Sequence, residues 1–469
     1  MDRRYAMART GPGAFSPPPA ALAPKDVSGS TIGLDTLMTP ETWLACAAYL
    51  GMLFSPQLGQ PGPMIMLAAG AVLLMRTPAN LANGLRIHWG MLVYPLYCLM
   101  SVFWSYAPGA TLRAGLELFV TYLFVFQITQ EKRRGAIITG IFLAFLAYNF
   151  VALTFGHKVT VGNLGGKAFS GLNGGKNLQA DIATLGLLAT IAFSLDINPF
   201  RKPISVVLIG FAALLHIYLI VQAKSSGAIA GLVVGAGVLI SLSAMRKATP
   251  GTRLVALMLF IFFGALISVY QEQISQAILG LFGKDATLTG RSYLWYRASG
   301  IIADHPIEGQ GYNAFWLKGN SDAEGLWRWA GITSRTGFNF HNSYLEALVA
   351  LGAIGLTILV ATLVGCCVRI IREYVRAPDV TLCFWLAIVS YDLFRTPFES
   401  VNPGPLQFAT VLMLSGLAAT GVSSQSAPVM APAGAGSLRS RRPDPRSRLL
   451  WRTARVRPGA LPHPQSPAP

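Results

Sequence analysis

The sequence predicts an all-α polytopic membrane protein of about twelve transmembrane helices, interrupted by one long polar loop. Of its 469 residues, 53% are hydrophobic and only 12% are charged, and the mean hydropathy is +0.49. Ordinary soluble domains carry about 25% charged residues. Apolar runs recur along most of the chain, which predicts that most of it lies within a lipid bilayer.

The apolar runs are close to the length of about 20 residues that a membrane helix needs, although the first two are short. They predict a membrane domain over residues 41–421, with a long loop at 271–341. Residues 1–40 and 422–469 lack apolar runs, and both are predicted to be disordered tails. The predicted spans are 41–56, 63–74, 88–106, 114–129, 136–155, 178–195, 204–221, 226–244, 254–270, 343–368, 380–394 and 406–420.

Basic residues predict the orientation of these spans. The alternate loops that face the same side as the amino terminus carry most of the Lys and Arg residues, as at Lys132, Arg133 and Arg134. Basic loops stay in the cytoplasm. Both termini are therefore predicted to be cytoplasmic in a bacterial inner membrane, and loop 271–341 is predicted to be periplasmic. The net charge of +17 follows this pattern, and nothing indicates binding to nucleic acid.

Basic side chains also stand in the predicted outward loops, where positive charge should be rare. They are Arg113, Lys176 beside Asn177, Lys224, and Arg291. Each alone fits a lysine or arginine that extends to the membrane surface. Together they predict an anion site that suits a lipid diphosphate. A transporter or flippase could line a path with the same residues, although transporters usually place polar groups at the membrane midplane.

His341 stands where the chain re-enters the membrane. Histidine titrates near neutral pH and can remove a proton from a sugar hydroxyl. It could equally be structural at the helix start, and Asn342 could be a helix cap. Carboxylates at span edges are costly and hence functional candidates, as at Asp181 and Glu399. Glu399 has the stronger case because Arg395 lies four residues away. No His and Cys cluster has metal-ligand spacing, so neither a metal nor a cofactor is predicted.

The spacing of three glycines predicts a contact between helices. Gly227, Gly231 and Gly235 recur at four-residue steps, which predicts close packing against another helix of the same chain.

The long loop is rich in tryptophan. Such rings either anchor the loop at the membrane surface or stack on sugar faces. The loop tryptophans are Trp295, Trp316, Trp327 and Trp329.

The motifs around the long loop resemble the O-antigen ligase and polysaccharide polymerase superfamily. The segment His341-Asn342-Ser343-Tyr344-Leu345-Glu346, followed by Leu351-Gly352-Ala353-Ile354-Gly355-Leu356, is similar to its signature. The resemblance covers residues 40 to 420. The remaining matching pieces are Leu288-Thr289-Gly290-Arg291, Leu294-Trp295, His305-Pro306, Gly309-Gln310-Gly311-Tyr312, Trp104-Ser105, Lys176-Asn177, Lys224-Ser225 and Glu399-Ser400.

This resemblance implies a GT-C-like glycosyltransferase that inverts the anomeric carbon without a metal ion. The implied donor is a glycan linked to undecaprenyl diphosphate, and the acceptor is a saccharide or lipid A-core. Other polysaccharide assembly proteins are expected partners. The resemblance makes His341 the catalytic residue, with Arg291 and Lys224 as ligands of the diphosphate. Possible substrate-binding residues are Lys176, Asn177, Arg113, Asn342 and Glu399.

One departure from the family pattern bears on the reaction. Many ligases of this family have Ser-Arg where this chain has Ala223-Lys224-Ser225, and Lys cannot form a bidentate fork. A lysine here is more similar to exopolysaccharide polymerases of the succinoglycan type. A polymerase is therefore favoured, with an O-antigen ligase and a protein O-glycosyltransferase as alternatives.

Overall fold

The computed structural model describes residue 32 and residues 34–161, 166–196, 203–270, 289–335 and 337–420. Residues 271–288 of the predicted long loop lie outside these ranges, as do predicted tail 422–469 and most of tail 1–40. The last part of the amino-terminal tail differs from the prediction. Leu34–Met38 is a 3-10 helix, and the Ile32 amide donates to Asp196 Oδ2 over 2.6 Å.

Sixteen α-helices and two β-strands make up the regular structure of the described residues, apart from short 3-10 turns. The helices are α1 Pro40–Leu53, α2 Ser55–Leu58, α3 Pro61–Arg76, α4 Pro78–His88, α5 Val93–Met100, α6 Pro108–Thr129, α7 Arg134–Phe155 and α8 Lys176–Leu195. They continue with α9 Pro203–Ala223, α10 Ser226–Ala244, α11 Pro250–Val269, α12 Thr289–Asp304, α13 Ser321–Trp329, α14 Ser343–Arg376, α15 Val380–Arg395 and α16 Phe408–Leu417.

Fewer helices than predicted have the length and composition to cross a membrane. In the described residues six do so: Pro108–Thr129, Arg134–Phe155, Lys176–Leu195, Pro203–Ala223, Ser226–Lys247 and Ser343–Arg376. Pro61–Arg76 and Pro78–Phe103 meet this criterion only together, as a pair bent by 100°. If that pair counts as one span, the described residues contain seven candidate spans. The helical, polytopic membrane class is thus confirmed, whereas twelve spans are not.

Prolines explain why some predicted spans are short or broken. Pro61 and Pro78 each stand at the first position of a new helix. A proline fits the first turn but not a helix interior, because it lacks the amide hydrogen and collides with the preceding turn. The predicted span 88–106 is also not one continuous helix: it consists of 3-10 turns and the eight-residue helix α5.

The all-α prediction missed a small hairpin between α7 and α8. Strands β1, His157–Val161, and β2, Gly166–Gly171, pair antiparallel, with Lys158 opposite Phe169 and Thr160 opposite Lys167. Phe169 is buried against the neighbouring helices, so one end of the hairpin packs on the bundle.

The long loop folds around its own apolar cluster. Helix α12 supplies Leu294, Ala298 and Ile301, which lie on one helix face by their spacing. These side chains pack with Leu326 and Trp327 of α13 and with other residues of the loop. The described part of the loop is therefore a small helical subdomain.

This subdomain is tied to α14 through a break in that helix. Gly352 has φ +63° and ψ −166°, outside the helical region. The break frees backbone groups of residues 349–354, and segment 306–311 binds them. The hydrogen bonds run from Gln310 N to Val349 O (2.9 Å), Gly311 N to Ala350 O (2.9 Å), Ala353 N to Pro306 O (2.9 Å) and Ile354 N to Ile307 O (3.2 Å).

Gly352→Ala is expected to lower the free energy of unfolding by about 2–3 kcal/mol, because only glycine adopts this backbone conformation easily. The added Cβ would also lie 2.2 Å from the Ile307 carbonyl oxygen. Unfolding of the purified protein in mixed micelles would measure the loss. Gly365→Ala is the matched control in the same helix, because its Cβ would meet nothing within 4 Å. Equal stability of the two variants would contradict the expected strain at Gly352.

The glycine pattern in α10 contacts another helix of the same chain. A Cβ on Gly231 would lie 2.6 Å from the Tyr391 ring of α15, and one on Gly235 would lie 3.0 Å from Leu188 of α8. The predicted internal packing is therefore confirmed. It brings α10 against the end of α15 from which the site described next is built.

Candidate active site

His341 lies in the turn that leads into α14, two residues before the helix begins at Ser343. Its backbone has φ +51°, a left-handed conformation that is uncommon for a residue with a side chain. The amide of His341 donates to Asn339 Oδ1 over 2.9 Å, which closes the turn. The imidazole is partly exposed, and its Nδ1 lies 3.2 Å from Glu399 Oε2.

Glu399 joins His341 to Arg291. While one carboxylate oxygen contacts His341, the other lies 3.2 Å from Arg291 Nη2. Burial would raise the pKa of Glu399, but the hydrogen bond from His341 and the charge of Arg291 outweigh it and hold this pKa below its usual value. An ionised carboxylate only accepts hydrogen bonds. Nδ1 of His341 therefore carries the hydrogen that faces Glu399, and when the ring is neutral its Nε2 is the atom that can accept a proton.

The start of α14 is fastened to the segment that carries Glu399. The Ser343 hydroxyl donates to the Glu399 carbonyl over 2.8 Å and accepts from the Val401 amide over 2.9 Å. Asn402 Nδ2 donates to the Ser343 carbonyl over 2.8 Å. These contacts fix Glu399 and the turn of His341 relative to each other.

Glu346 holds the other side of the same turn. It accepts hydrogen bonds from the Phe340 amide over 2.5 Å and from Trp316 Nε1 over 3.2 Å. Phe340 directly precedes His341, so Glu346 positions the backbone that carries the imidazole. Sequence reasoning missed this role, although Glu346 ends the motif that begins at His341.

Asn342 serves as the N-cap of α14. Its side-chain oxygen accepts from the Tyr344 and Leu345 amides, and its Nδ2 donates to the Pro397 carbonyl over 3.1 Å. This is the cap chemistry that the sequence left open as an alternative. Since these contacts occupy both ends of the amide, the geometry favours a structural role over the predicted substrate contact.

Lys224 and Lys176 lie together at neighbouring helix ends. Lys224 is exposed between α9 and α10 with φ +51°, and its carbonyl accepts from Lys176 Nζ over 3.2 Å. Gly227, three residues later, is a close neighbour of the Phe398 ring, since a Cβ added to this glycine would lie 3.7 Å from it. Both lysines therefore lie on elements that adjoin the segment of Glu399.

Two other predicted site residues are not brought into this group. Arg113 is exposed on α6, where its Nε pairs with Glu117 one turn away over 2.9 Å. Asn177 is the second residue of α8. Among the described residues, no ion pair or hydrogen bond joins either side chain to His341, Arg291 or Glu399.

Arg395 pairs with Asp181 rather than with Glu399. Arg395 Nη2 lies 2.6 Å from Asp181 Oδ2, and Tyr391 donates to Asp181 Oδ1 over 2.8 Å. The nearness of Arg395 in sequence, which favoured Glu399 as a candidate, therefore does not correspond to an ion pair between the two side chains. Glu399 instead contacts Arg291 and His341, which the sequence did not link to it.

Part of the chain that carries this site matches a known family. Residues 211–360 match the sequence profile of the family described as O-antigen ligase. Over these residues the chain is therefore similar to that family. The resemblance to the O-antigen ligase and polymerase superfamily is thereby confirmed. Lys224, Arg291 and His341 lie inside the matched residues, whereas Glu399 lies beyond them.

One curated relative resembles the chain over a longer stretch. It is the "Exopolysaccharide production protein ExoQ" of Rhizobium meliloti (strain 1021), 30% identical over 284 residues. The match covers 58% of this chain and 62% of the relative, which is less than two thirds of that protein's length. The chain is thus similar to an exopolysaccharide production protein and, over residues 211–360, to the O-antigen ligase family.

Proposed function

We propose that this protein polymerises a surface polysaccharide from oligosaccharides linked to undecaprenyl diphosphate. The observation that carries the proposal is the linked group of His341, Glu399 and Arg291, with both contacts at 3.2 Å. It combines an oriented base with a cation that suits a diphosphate. A binding protein for an anionic lipid would need the cation but not the oriented base.

In the proposed reaction, Nε2 of His341 takes the proton from a hydroxyl of the acceptor saccharide. The hydroxyl oxygen attacks the anomeric carbon of the donor, and a new glycosidic bond forms. The bond between that carbon and the diphosphate oxygen breaks, and its electron pair leaves with undecaprenyl diphosphate. Attack opposite the leaving group inverts the anomeric carbon. Glu399 stabilises the imidazolium that results.

Arg291 would hold the leaving diphosphate. A guanidinium has five N–H donors, and the contact with Glu399 is made by Nη2, so other donors can bind phosphate oxygens. Lys224 and Lys176 would add positive charge beside it. Since these side chains supply the charge that a bound metal ion otherwise contributes, we propose that the transfer is independent of metal ions.

The setting of the reaction completes the proposal. We place the site on the periplasmic side of the bacterial inner membrane, with both termini in the cytoplasm and a GT-C-like arrangement of up to twelve spans. The distribution of basic loops supports this orientation. The acceptor would be the growing saccharide, and other assembly proteins would be partners.

A ligase is the second candidate, because the matching family is described by that activity. It would transfer the glycan to lipid A-core instead of a saccharide. Lys224 and the name of the curated relative, an exopolysaccharide production protein, favour the polymerase. A protein O-glycosyltransferase would use the same chemistry on a hydroxyl of a protein.

The test uses purified protein with the lipid-linked oligosaccharide, first alone and then with lipid A-core. A ladder of longer glycans from the donor alone is the expected result. Arg291→Ala should lower its rate by about a hundred- to a thousandfold, because one cation at the leaving group is lost. Arg113→Ala, which removes an exposed cation outside the group, is the matched control.

Other products would change the conclusion. Product that forms only with lipid A-core would replace the polymerase by the ligase. Donor that crosses the membrane of a proteoliposome without a new glycosidic bond would replace the enzyme by a flippase. Unchanged rates in Arg291→Ala would remove this residue from the site.

A further inference from the structure

The long loop exposes a pair of aromatic rings outside the site described above. Trp327 is 1% exposed, whereas Tyr293 of α12 is 38% exposed and Trp329 of α13 is 44% exposed. The Tyr293 and Trp329 rings lie with centroids 4.6 Å apart and planes 34° apart. The other loop tryptophans, Trp295 and Trp316, donate their ring N–H groups to Phe340 O and Glu346. Trp329 is thus the most exposed of the four.

An ion pair continues the same surface. Arg297 follows Tyr293 by four residues on α12, and Asp322 precedes Trp329 by seven on α13, so each pair shares a helix face. Arg297 Nη2 lies 3.0 Å from Asp322 Oδ1, and both side chains are exposed. Two adjacent helices therefore present an aromatic pair and a charged pair side by side. We call Tyr293, Trp329, Arg297 and Asp322 the platform.

The platform begins close to the proposed reaction centre. Arg291 lies two residues before Tyr293 on the same helix, a rise of about 3 Å along the axis. Helix α12 therefore carries the residue that would hold the donor diphosphate and, in its next turns, the platform. Because residues two apart lie on different sides of a helix, a glycan of several sugars that extends from that diphosphate would reach this surface by curving around α12.

We propose that the platform binds a sugar ring of the glycan, with Tyr293 and Trp329 against the ring face and the Arg297–Asp322 pair on its hydroxyls. The C–H face of a pyranose is apolar and slightly positive, and it suits the negative face of an aromatic ring. Guanidinium donates to hydroxyl oxygens and carboxylate accepts from hydroxyl hydrogens. This inference rests on the proposed function, because it assigns the glycan to the same loop.

Charge favours a saccharide over a membrane surface as the occupant. Exposed Tyr and Trp rings also anchor proteins among lipid headgroups. In the platform, Arg297 and Asp322 neutralise each other, and the neighbouring Glu324 is paired with Arg335 over 3.2 Å. The surface therefore has no excess of positive charge to attract anionic headgroups, whereas a guanidinium beside a carboxylate suits the hydroxyls of a neutral sugar.

The test measures binding of the free oligosaccharide, hydrolysed from the lipid-linked donor, to the protein in nanodiscs. Trp329→Ala and Tyr293→Ala should each weaken its affinity about five- to tenfold, and Trp329→Phe should lose less, since a ring remains. Tyr296→Ala is the matched control, because Tyr296 is 73% exposed on the same helix and lies outside the platform. In turnover, the alanine variants should raise KM and leave kcat nearly unchanged.

Three results would overturn the platform, and each is separate from the proposed function. Saccharide affinity in Trp329→Ala equal to that of the unaltered protein would exclude it, as would an equal loss in Tyr296→Ala. Loss of quenching by brominated lipids in Trp329→Phe, without added saccharide, would identify Trp329 as a membrane anchor. An inactive His341→Asn variant should still bind the oligosaccharide normally, whereas an active one would remove the proposed function itself.

Discussion

Replacing His341 by Asn is expected to lower the turnover of the lipid-linked donor by about 10²–10⁴-fold, the range that a general base contributes. The variant removes the ring nitrogen that would accept the proton of the acceptor hydroxyl. Asn is chosen because it tolerates the left-handed backbone of this position, φ +51°. A loss of activity can then be assigned to the imidazole and not to a strained turn.

The rate of glycan ladder formation under saturating donor measures this effect. His305→Asn is the matched control, because this histidine of the same loop is exposed and lies 3.9 Å from Glu308. Its rate should stay close to that of the unaltered protein. A His341→Asn variant that builds the ladder at a normal rate would show that the acceptor is activated by another group.

Replacing Asp181 by Leu is expected to destabilise the protein by about 3–5 kcal/mol, the typical cost of leaving one member of a buried ion pair unpaired. Arg395 would keep its charge without the carboxylate that lies 2.6 Å from it. Tyr391 would also lose its hydrogen-bond acceptor. Thermal unfolding in detergent would show a lower Tm, and activity would fall with the folded fraction.

The double variant Asp181→Leu with Arg395→Met separates two explanations of that loss. An apolar pair of similar volume often replaces a buried ion pair at no cost. The double variant should therefore recover most of the stability that the single variant loses. A double variant as unstable as the single one would mean that packing at Asp181, and not the unpaired charge, is the cause.

The sequence was most informative where neighbouring residues carry the signal. The segment from His341 to Glu346 and the residues around Arg291 led to the O-antigen ligase resemblance, and residues 211–360 match the profile of that family. The roles of His341, Arg291 and Lys224 stay predictions. Glycine spacing in α10 also predicted a close contact with another helix of the chain, because such a contact requires small side chains, and α10 makes it with α15.

The number of spans was harder to predict. A hydropathy pattern reports that a stretch is apolar, but it does not report where a helix bends. Pro78 begins a new helix after α3, and helices α1 and α16 have only 14 and 10 residues, so apolar length alone did not define continuous crossings. The hairpin at 157–171 was missed because its residues do not form an apolar run.

The sequence by itself determined that this protein is embedded in a membrane and is helical. It also determined the family resemblance and the residue types of the candidate site. Tertiary structure alone decided which of those residues meet. Glu399 contacts Arg291 and His341 across 108 and 58 residues of chain, whereas its near neighbour Arg395 pairs with Asp181. No local pattern encodes such a choice, since partners so far apart in sequence are selected by how the helices pack.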